Sequence, residues 1–375
     1  MNRTLIISIL AVVIVVTLGS ASFLFYNRNL NAKGWEMVNL AEQLMEAKDY
    51  ENAVKTLLPL AGKGTRFEGA DRVLYDLARA YQGTGSAEAE QLWDRLAADF
   101  PKSEYYPEAQ MHRVRRILAI KPQEARPILD DLIKNATGEV RAQAQLGMAQ
   151  ILEKEQKQDE VRAMYYDILS QDPPWNIESQ VKDRLTEINN ATLWSPVMDE
   201  FSQLHTVEKG EAPVVVGQKY RTTAWYVLEA NNLAKTLHPG QKVKVPKEPF
   251  AVRVNKKRCR LELVTESGRF IKWYLCGVGK ISEKTPAGEY TIINKEVNPK
   301  WYKPGGGVVK PGDPENALGV RWMGIGGSLG IHGTNEPDTI GKPESAGCIR
   351  MHNHDVEELY KLITYQTKVT IIEGK

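Results

Sequence analysis

Residues 331–351 read I-H-G-T-N-E-P-D-T-I-G-K-P-E-S-A-G-C-I-R-M and bring a histidine, a glycine-flanked cysteine and an arginine into one turn-rich stretch. Cys348 follows His332 by 16 positions, most of them polar or turn-forming. Acyl transfer at cysteine needs three things: a thiolate, an imidazole to take its proton, and N–H groups aimed at the tetrahedral oxyanion. Gly347 lets the backbone approach a substrate and point its N–H inward. Ser345, Gly347 and the Cys348 N–H are the candidates for the oxyanion site, with Gly333 beside the histidine. Arg350, two residues beyond the cysteine, can clamp a carboxylate through a bidentate contact, and a cation there lowers a thiol pKa. The competing readings are a buried structural thiol, a satisfied core histidine and a solvated cation. The polar surroundings of Cys348 favour the nucleophile. His352 and His354 lie where the chain enters a helix, which suits capping or exposure. Together with Cys348 and His332 they are metal-ligand types, but their spacing forms neither a structural finger nor an H-E-x-x-H site, so no metal is expected.

Upstream of this loop, from Phe250, the pattern is that of strands. Val252 and Val254 alternate, then Cys259, Leu261 and Leu263, and after the turn signal Ser267-Gly268 come Ile271, Trp273 and Leu275. Gly277-Val278-Gly279-Lys280, Thr285-Pro286-Ala287-Gly288-Glu289-Tyr290 and Asn298-Pro299-Lys300-Trp301-Tyr302 are further landmarks. With His332-Gly333-Thr334, Ser345, Gly347-Cys348-Ile349-Arg350-Met351 and Asn353, they resemble the signature of the L,D-transpeptidases, cysteine enzymes that cross-link peptidoglycan stem peptides. Ala346 departs from that signature, standing where the family has a second histidine. The resemblance implies a mostly β sandwich over residues 250–373 with its site at one edge. It makes Cys348 the nucleophile and His332 the general base, and it implies release of D-Ala from a tetrapeptide stem and transfer of the acyl group to an amine, giving a 3–3 type cross-link. An L,D-carboxypeptidase using water, and a non-catalytic wall-binding scaffold, are the alternatives. Trp301 and Tyr302 are read as packing. Asp355 is expected to cap a helix carrying Val356, Leu359, Tyr360 and Ile363, before a closing strand at residues 369–372.

If Ser267-Gly268 is a two-residue hairpin turn, Cys259 faces Cys276 in a non-hydrogen-bonded pair, where side chains lie closer. Two readings stand: packed thiols, or a disulfide, towards which an exported compartment tips the balance.

Before the strands, residues 204–247 change character. Tyr220, Ala230-Asn231-Asn232-Leu233 and the ending Pro239-Gly240-Gln241-Lys242-Val243-Lys244-Val245-Pro246 resemble a LysM module, a βααβ unit that binds wall glycan. Pro213 to Gly217 replace that family's usual helix-forming stretch. Residues 34–190 are helical in pattern, and the leading positions 41, 78, 112 and 147 resemble a tetratricopeptide array in their spacing. A generic α-solenoid fits as well. Such an array either binds a protein partner or holds the catalytic domain away from a membrane.

Residues 5–26 carry no charge and can span a bilayer, so 1–27 is expected to be a retained transmembrane anchor in preference to a cleaved signal peptide. Everything beyond it would lie outside the cytoplasm of a bacterium, in the cell envelope. The formal net charge of +2 divides unevenly: residues 1–204 hold 23 Lys+Arg against 29 Asp+Glu, and residues 205–375 hold 26 against 18. A basic back half suits an anionic polymer, although solvated lysines explain it equally, and no nucleic-acid motif accompanies it. The whole reads as a multidomain α+β chain: transmembrane helix, helical repeat array, small LysM-like βααβ module, and C-terminal mostly-β sandwich.

Overall fold

Apolar residues three and four apart put one face of each N-terminal segment against its neighbours, so this part of the chain folds as a series of packed helices. The structure, a computed structural model, describes residues 31–62, 67–280 and 285–374. The expected anchor, 1–27, lies outside the described residues. Among those described, no helix is long and apolar enough to cross a membrane. After helical residues 31–46 come α1 (Tyr50–Leu57), α2 (Ala70–Thr84), α3 (Glu88–Asp99), α4 (Tyr106–Ile117), α5 (Pro122–Asn135), α6 (Gly138–Lys154) and α7 (Gln158–Ser170). Ala41, Ala53, Ala78, Ala89 and Ala125 are buried, as close helix approach requires. His112 is buried too and stacks on Trp93 with ring centroids 4.1 Å apart. Glu160, expected in the same phase, is exposed.

The helical stretch expected to run to Asn190 is divided. One compact unit ends at Pro174, and α8 (Trp175–Leu193) belongs to the next. There Lys182 Nζ donates to Glu262 Oε1 at 2.6 Å, and the Asn189 amide donates to the Ile271 carbonyl at 2.8 Å. Periodicity says that a helix has an inner face. It does not say which surface that face will meet.

The βααβ unit consists of β1 (Ser202–Thr206), α9 (Pro213–Lys219), α10 (Ala224–Glu229) and β2 (Lys242–Pro246), with β1 and β2 antiparallel. The stretch from Pro213 to Gly217, read as departing from helix, is helical after all. Proline occupies the first turn, where its missing N–H costs nothing, and Val216 closes a small core with Val207, Val227, Val243 and Val245. Lys244 breaks the expected in-and-out alternation of its strand: it is buried, with Nζ donating to Asp199 Oδ2 at 2.9 Å and to the Val197 carbonyl at 2.7 Å.

Two sheets form the C-terminal domain. One has the order β5-β4-β3-β13-β6, from β3 (Phe250–Asn255), β4 (Arg260–Thr265), β5 (Phe270–Leu275), β6 (Gly288–Thr291) and β13 (Lys368–Ile372). The other has the order β12-β11-β10-β7, from β7 (Asn294–Val297), β10 (Arg321–Gly326), β11 (Leu329–His332) and β12 (Ile349–Arg350). The pair β8 (Trp301–Tyr302) and β9 (Val308–Val309) stands apart, and α11 (Asn353–Leu362) links β12 to β13. Asp355, expected to cap this helix, lies instead inside the first turn of α11, where its charge suits the helix dipole; the N-cap position belongs to His352, whose side chain makes no capping hydrogen bond.

The β4–β5 hairpin corrects the expected turn. Thr265 N–H donates to the Arg269 carbonyl at 2.9 Å, and Gly268 sits at φ +92, so the loop has three residues, 266–268. A bulge then absorbs one residue: Val264 faces Phe270, but Leu263 faces Lys272. The two shifts cancel in register, so Cys259 still lies opposite Cys276, but the hydrogen-bonding alternation is inverted. Cys276 N–H donates to the Cys259 carbonyl at 3.0 Å, which is the pairing with side chains farther apart. Both cysteines are free, buried thiols, and burial pushes the pKa of each up. The disulfide favoured from sequence is absent. Cys259 has a left-handed backbone, φ +49, and its thiol lies 3.6 Å from the Lys256 carbonyl. Leu275, expected to face inward with Ile271 and Trp273, is exposed.

Candidate active site

His332 and Cys348 are brought together by strand pairing. β11 and β12 run parallel, with Ile331 opposite Ile349 and His332 opposite Arg350. Continued one step, that register puts Cys348 across from Gly330, two residues before His332, so the two side chains share one face of the sheet. A cleft of about 540 Å³ opens there, and Cys348, His332, Arg350, Ser345 and Ala346 all line it. The Gly277–Lys280 landmark supports the loop from beneath: Arg350 N–H donates to the Gly277 carbonyl at 2.9 Å, and Ser345 N–H donates to the Val278 carbonyl at 2.9 Å.

His332 is buried, and its Nδ1 lies 2.6 Å from the Gly333 carbonyl oxygen. A carbonyl only accepts, so Nδ1 carries the proton and Nε2 keeps a free lone pair. Burial lowers the imidazole pKa to about 4, against a raising contribution from that carbonyl and with Arg350 lowering it further. The Trp322 indole stacks on the ring at 5.7 Å between centroids. It has room because Gly330 faces it: a Cβ there would meet the indole at 2.5 Å. Gly333 is required for a similar reason, since a Cβ would meet Asn353 Oδ1 at 2.1 Å. Asn353 clamps the loop after the histidine, accepting from Thr334 N–H at 3.1 Å and donating to the Thr334 carbonyl at 2.9 Å.

The Cys348 thiol donates to the Ser328 carbonyl at 3.4 Å. Burial raises its pKa above the ordinary thiol value, and the Gly330 N–H and Arg350 only partly offset this. The cationic neighbour was expected to favour thiolate. It is outweighed by desolvation, so with a neutral imidazole the resting pair is thiol and imidazole.

The loop itself is tightly bonded. Ser345 Oγ donates to the Cys348 carbonyl at 2.6 Å and accepts from Gly347 N–H at 3.2 Å. Gly333 N–H donates to the Arg321 carbonyl at 3.2 Å. Ser345 Oγ, Gly347 N–H and Gly333 N–H thus spend these hydrogen bonds on the loop's own shape. Gly347 sits at φ +116, which only glycine adopts without strain. One Arg350 nitrogen donates to Glu336 Oε2 at 2.8 Å, an exposed carboxylate.

His352 and His354 stack on one another at 5.6 Å, and neither lines the cleft. Trp301 and Tyr302, read from sequence as packing, line it instead. Their landmark was visible in the sequence, but their position over the site depends on the β8–β9 pair. Trp322 carried no sequence signal, because its neighbour is set by the register Trp322 opposite His332. The described residues contain no group of three or more His, Cys, Asp or Glu that could hold a metal ion.

Residues 249–371 match the family described as YkuD, the L,D-transpeptidase catalytic domain. A Bacillus licheniformis protein bearing the name L,D-transpeptidase YkuD is 35% identical over 179 residues, 45% of this chain and 98% of that protein. Its Bacillus subtilis namesake is 36% identical over 177 residues, 44% of this chain and 97% of that protein. The Escherichia coli protein named L,D-transpeptidase YcfS is 29% identical over 198 residues, 46% of this chain and 62% of that protein. Only 127 residues run from position 249 to the end of the chain, so an alignment spanning 45% of it also reaches upstream into the βααβ unit. With nearly the full length of two such relatives matched above 30% identity, and with cysteine, histidine and arginine gathered in one cleft, the chain belongs to the L,D-transpeptidase family.

Proposed function

We propose that this chain cross-links peptidoglycan in the bacterial cell envelope, with Cys348 as nucleophile and His332 as general base. The carrying observation is the His332 Nδ1–H bond to the Gly333 carbonyl, which leaves Nε2 free to take a proton beside Cys348. The thiol gives its proton to Nε2 as sulfur bonds to the carbonyl carbon between the diamino acid and the terminal D-Ala of a tetrapeptide stem. The carbonyl electrons move to oxygen, which the Cys348 N–H receives. Collapse breaks the C–N bond, D-Ala leaves as an amine protonated by His332, and a thioester remains. An amine of a neighbouring stem then attacks the thioester carbonyl and gives a proton to His332; the C–S bond breaks, the Cys348 sulfur takes that proton back, and a 3–3 cross-link remains. No cofactor enters any of these steps.

Incubating the protein with tetrapeptide-bearing wall fragments and weighing the products tests this directly. Cross-linked dimers are expected. Tripeptides alone would make it an L,D-carboxypeptidase, and unchanged fragments would reduce it to a scaffold.

Arg350 is proposed to clamp a substrate carboxylate. Its present partner, Glu336, is exposed, and such a pair is worth roughly 0–1 kcal/mol, so a substrate carboxylate can displace it. Arg350→Lys is expected to lower kcat/KM about tenfold or more despite conserved charge, because an ammonium lacks the guanidinium fork. Steady-state kinetics at wild-type level would remove the clamp.

The remaining assignments are of a piece with this role: residues 1–27 as a membrane anchor, the 34–190 helices as tetratricopeptide-like repeats offering a surface to a protein partner, and residues 204–247 as a LysM-like module on wall glycan. Support for the last is the βααβ order of the unit. Recovery of the chain in a soluble fraction would sink the anchor. A catalytically dead full chain that failed to co-sediment with insoluble peptidoglycan would sink the glycan contact, and failure to capture any envelope protein after crosslinking would reduce the repeats to a spacer.

A further inference from the structure

Thr285 lies outside the cleft, fully buried, with its hydroxyl between two backbone groups. Gly279 N–H is 2.8 Å from Oγ1, and Oγ1 is 2.7 Å from the Gly347 carbonyl oxygen. The direction of both bonds follows from chemistry alone. A backbone N–H only donates, so Oγ1 accepts there. Its one hydrogen is then committed to Gly347 oxygen, which only accepts. No water competes at a buried hydroxyl, so the commitment is firm.

Resting on the nucleophilic role proposed for Cys348, we propose that Thr285 is a positioning residue that aims the Cys348 N–H at the oxyanion. The peptide joining Gly347 to Cys348 is planar and trans, so its C=O and N–H point in opposite directions. Drawing the Gly347 carbonyl back to Thr285, behind the loop, turns the Cys348 N–H toward the side on which Cys348 lines the cleft. Gly347 N–H cannot share the task, because it donates to Ser345 Oγ. Ser345 also holds the Cys348 carbonyl, so the residue is tethered on both sides. The backbone can take this pose because Gly347 tolerates φ +116. Thr285 therefore acts through the peptide plane and touches no reacting atom.

The test compares two reactions of the same sulfur in the full-length protein. Acylation by a carbapenem passes through a tetrahedral oxyanion. Alkylation by iodoacetamide displaces iodide at a saturated carbon and forms none. Thr285→Val removes the hydroxyl at nearly constant volume, and Thr285→Ser keeps it. Acylation of Thr285→Val, followed by intact mass, is expected to slow on the order of 10- to 100-fold. Alkylation at Cys348, followed by peptide mapping, should stay within about twofold of wild type, because it makes no demand on the oxyanion site. Thr285→Ser should restore most of the acylation rate, and in turnover the loss should fall on kcat more than on KM. If Thr285→Val does not fold, Thr285→Ala is held to the same expectations. Unchanged acylation overturns the proposal, and so does an equal slowing of both reactions, which would mean that the loop had merely moved. A wild-type protein that is alkylated at Cys348 but never acylated there would overturn the proposed function, and the role of Thr285 with it.

Discussion

Replacing Cys348 with alanine is expected to abolish cross-linking, hydrolysis and carbapenem acylation together, with turnover falling on the order of 10⁴-fold or more. The fold should survive. Cys348 lies in a loop at a sheet edge, and its backbone is held by Ser345, Thr285 and Gly347, none of which needs the sulfur. Far-ultraviolet circular dichroism and a thermal melt close to wild type would establish that the variant is folded. Intact mass after carbapenem treatment then reads the chemistry. Cys259 and Cys276 cannot substitute, since both are buried and burial pushes their thiols further from thiolate. An adduct on the alanine variant would place the nucleophile elsewhere and sink the assignment.

The second large effect belongs to His332→Asn. The amide nitrogen of asparagine can keep the bond to the Gly333 carbonyl, but nothing remains at the Nε2 position to take the thiol proton. Because burial raises the Cys348 pKa, the thiol depends on that base, and the loss of kcat is expected at about 10²- to 10⁴-fold. Stability should move the other way in acid. The folded imidazole pKa of about 4 lies below the usual value near 6.5, so the unfolded chain binds a proton more readily. The stability carried by the neutral ring is complete above pH of about 6.5 and is lost as pH falls toward 4, by about 3 kcal/mol in all. Urea unfolding of the C-terminal domain at several pH values should show that acid-dependent loss in the wild type and a shallower one in His332→Asn. The buried His112, also held near 4 by burial, acts in the helical unit and is common to both proteins. Identical pH slopes would mean that His332 is not buried as a neutral ring.

How much of this was legible beforehand depends on the range over which each feature is decided. The Cys348, His332 and Arg350 set could be named from residues 331–351 because a single loop joins two strands that pair directly, so residues at its two ends line one cleft. The βααβ order was implied by the LysM resemblance of residues 204–247, whereas the residues of Pro213–Lys219 by themselves had suggested a departure from helix. The hairpin is the instructive case. Its cysteine register came out right although the turn has three residues and not two, because a bulge one step away restored the count. Its hydrogen-bonding alternation, and with it the disulfide, came out wrong, since such alternation inverts with every inserted residue.

Local patterns in the sequence thus determined which residues gather at the cleft, which segments are helix or strand, and where the domain character changes. Tertiary structure alone decided how those residues behave. Desolvation raised the Cys348 pKa where a neighbouring arginine suggested the opposite. Strand register set Trp322 on His332, and a buried hydroxyl 62 positions upstream took hold of the Gly347 carbonyl. Burial, register and long-range hydrogen bonds all depend on what lies across the gap from a residue. That is settled only when the distant segments of the chain have packed.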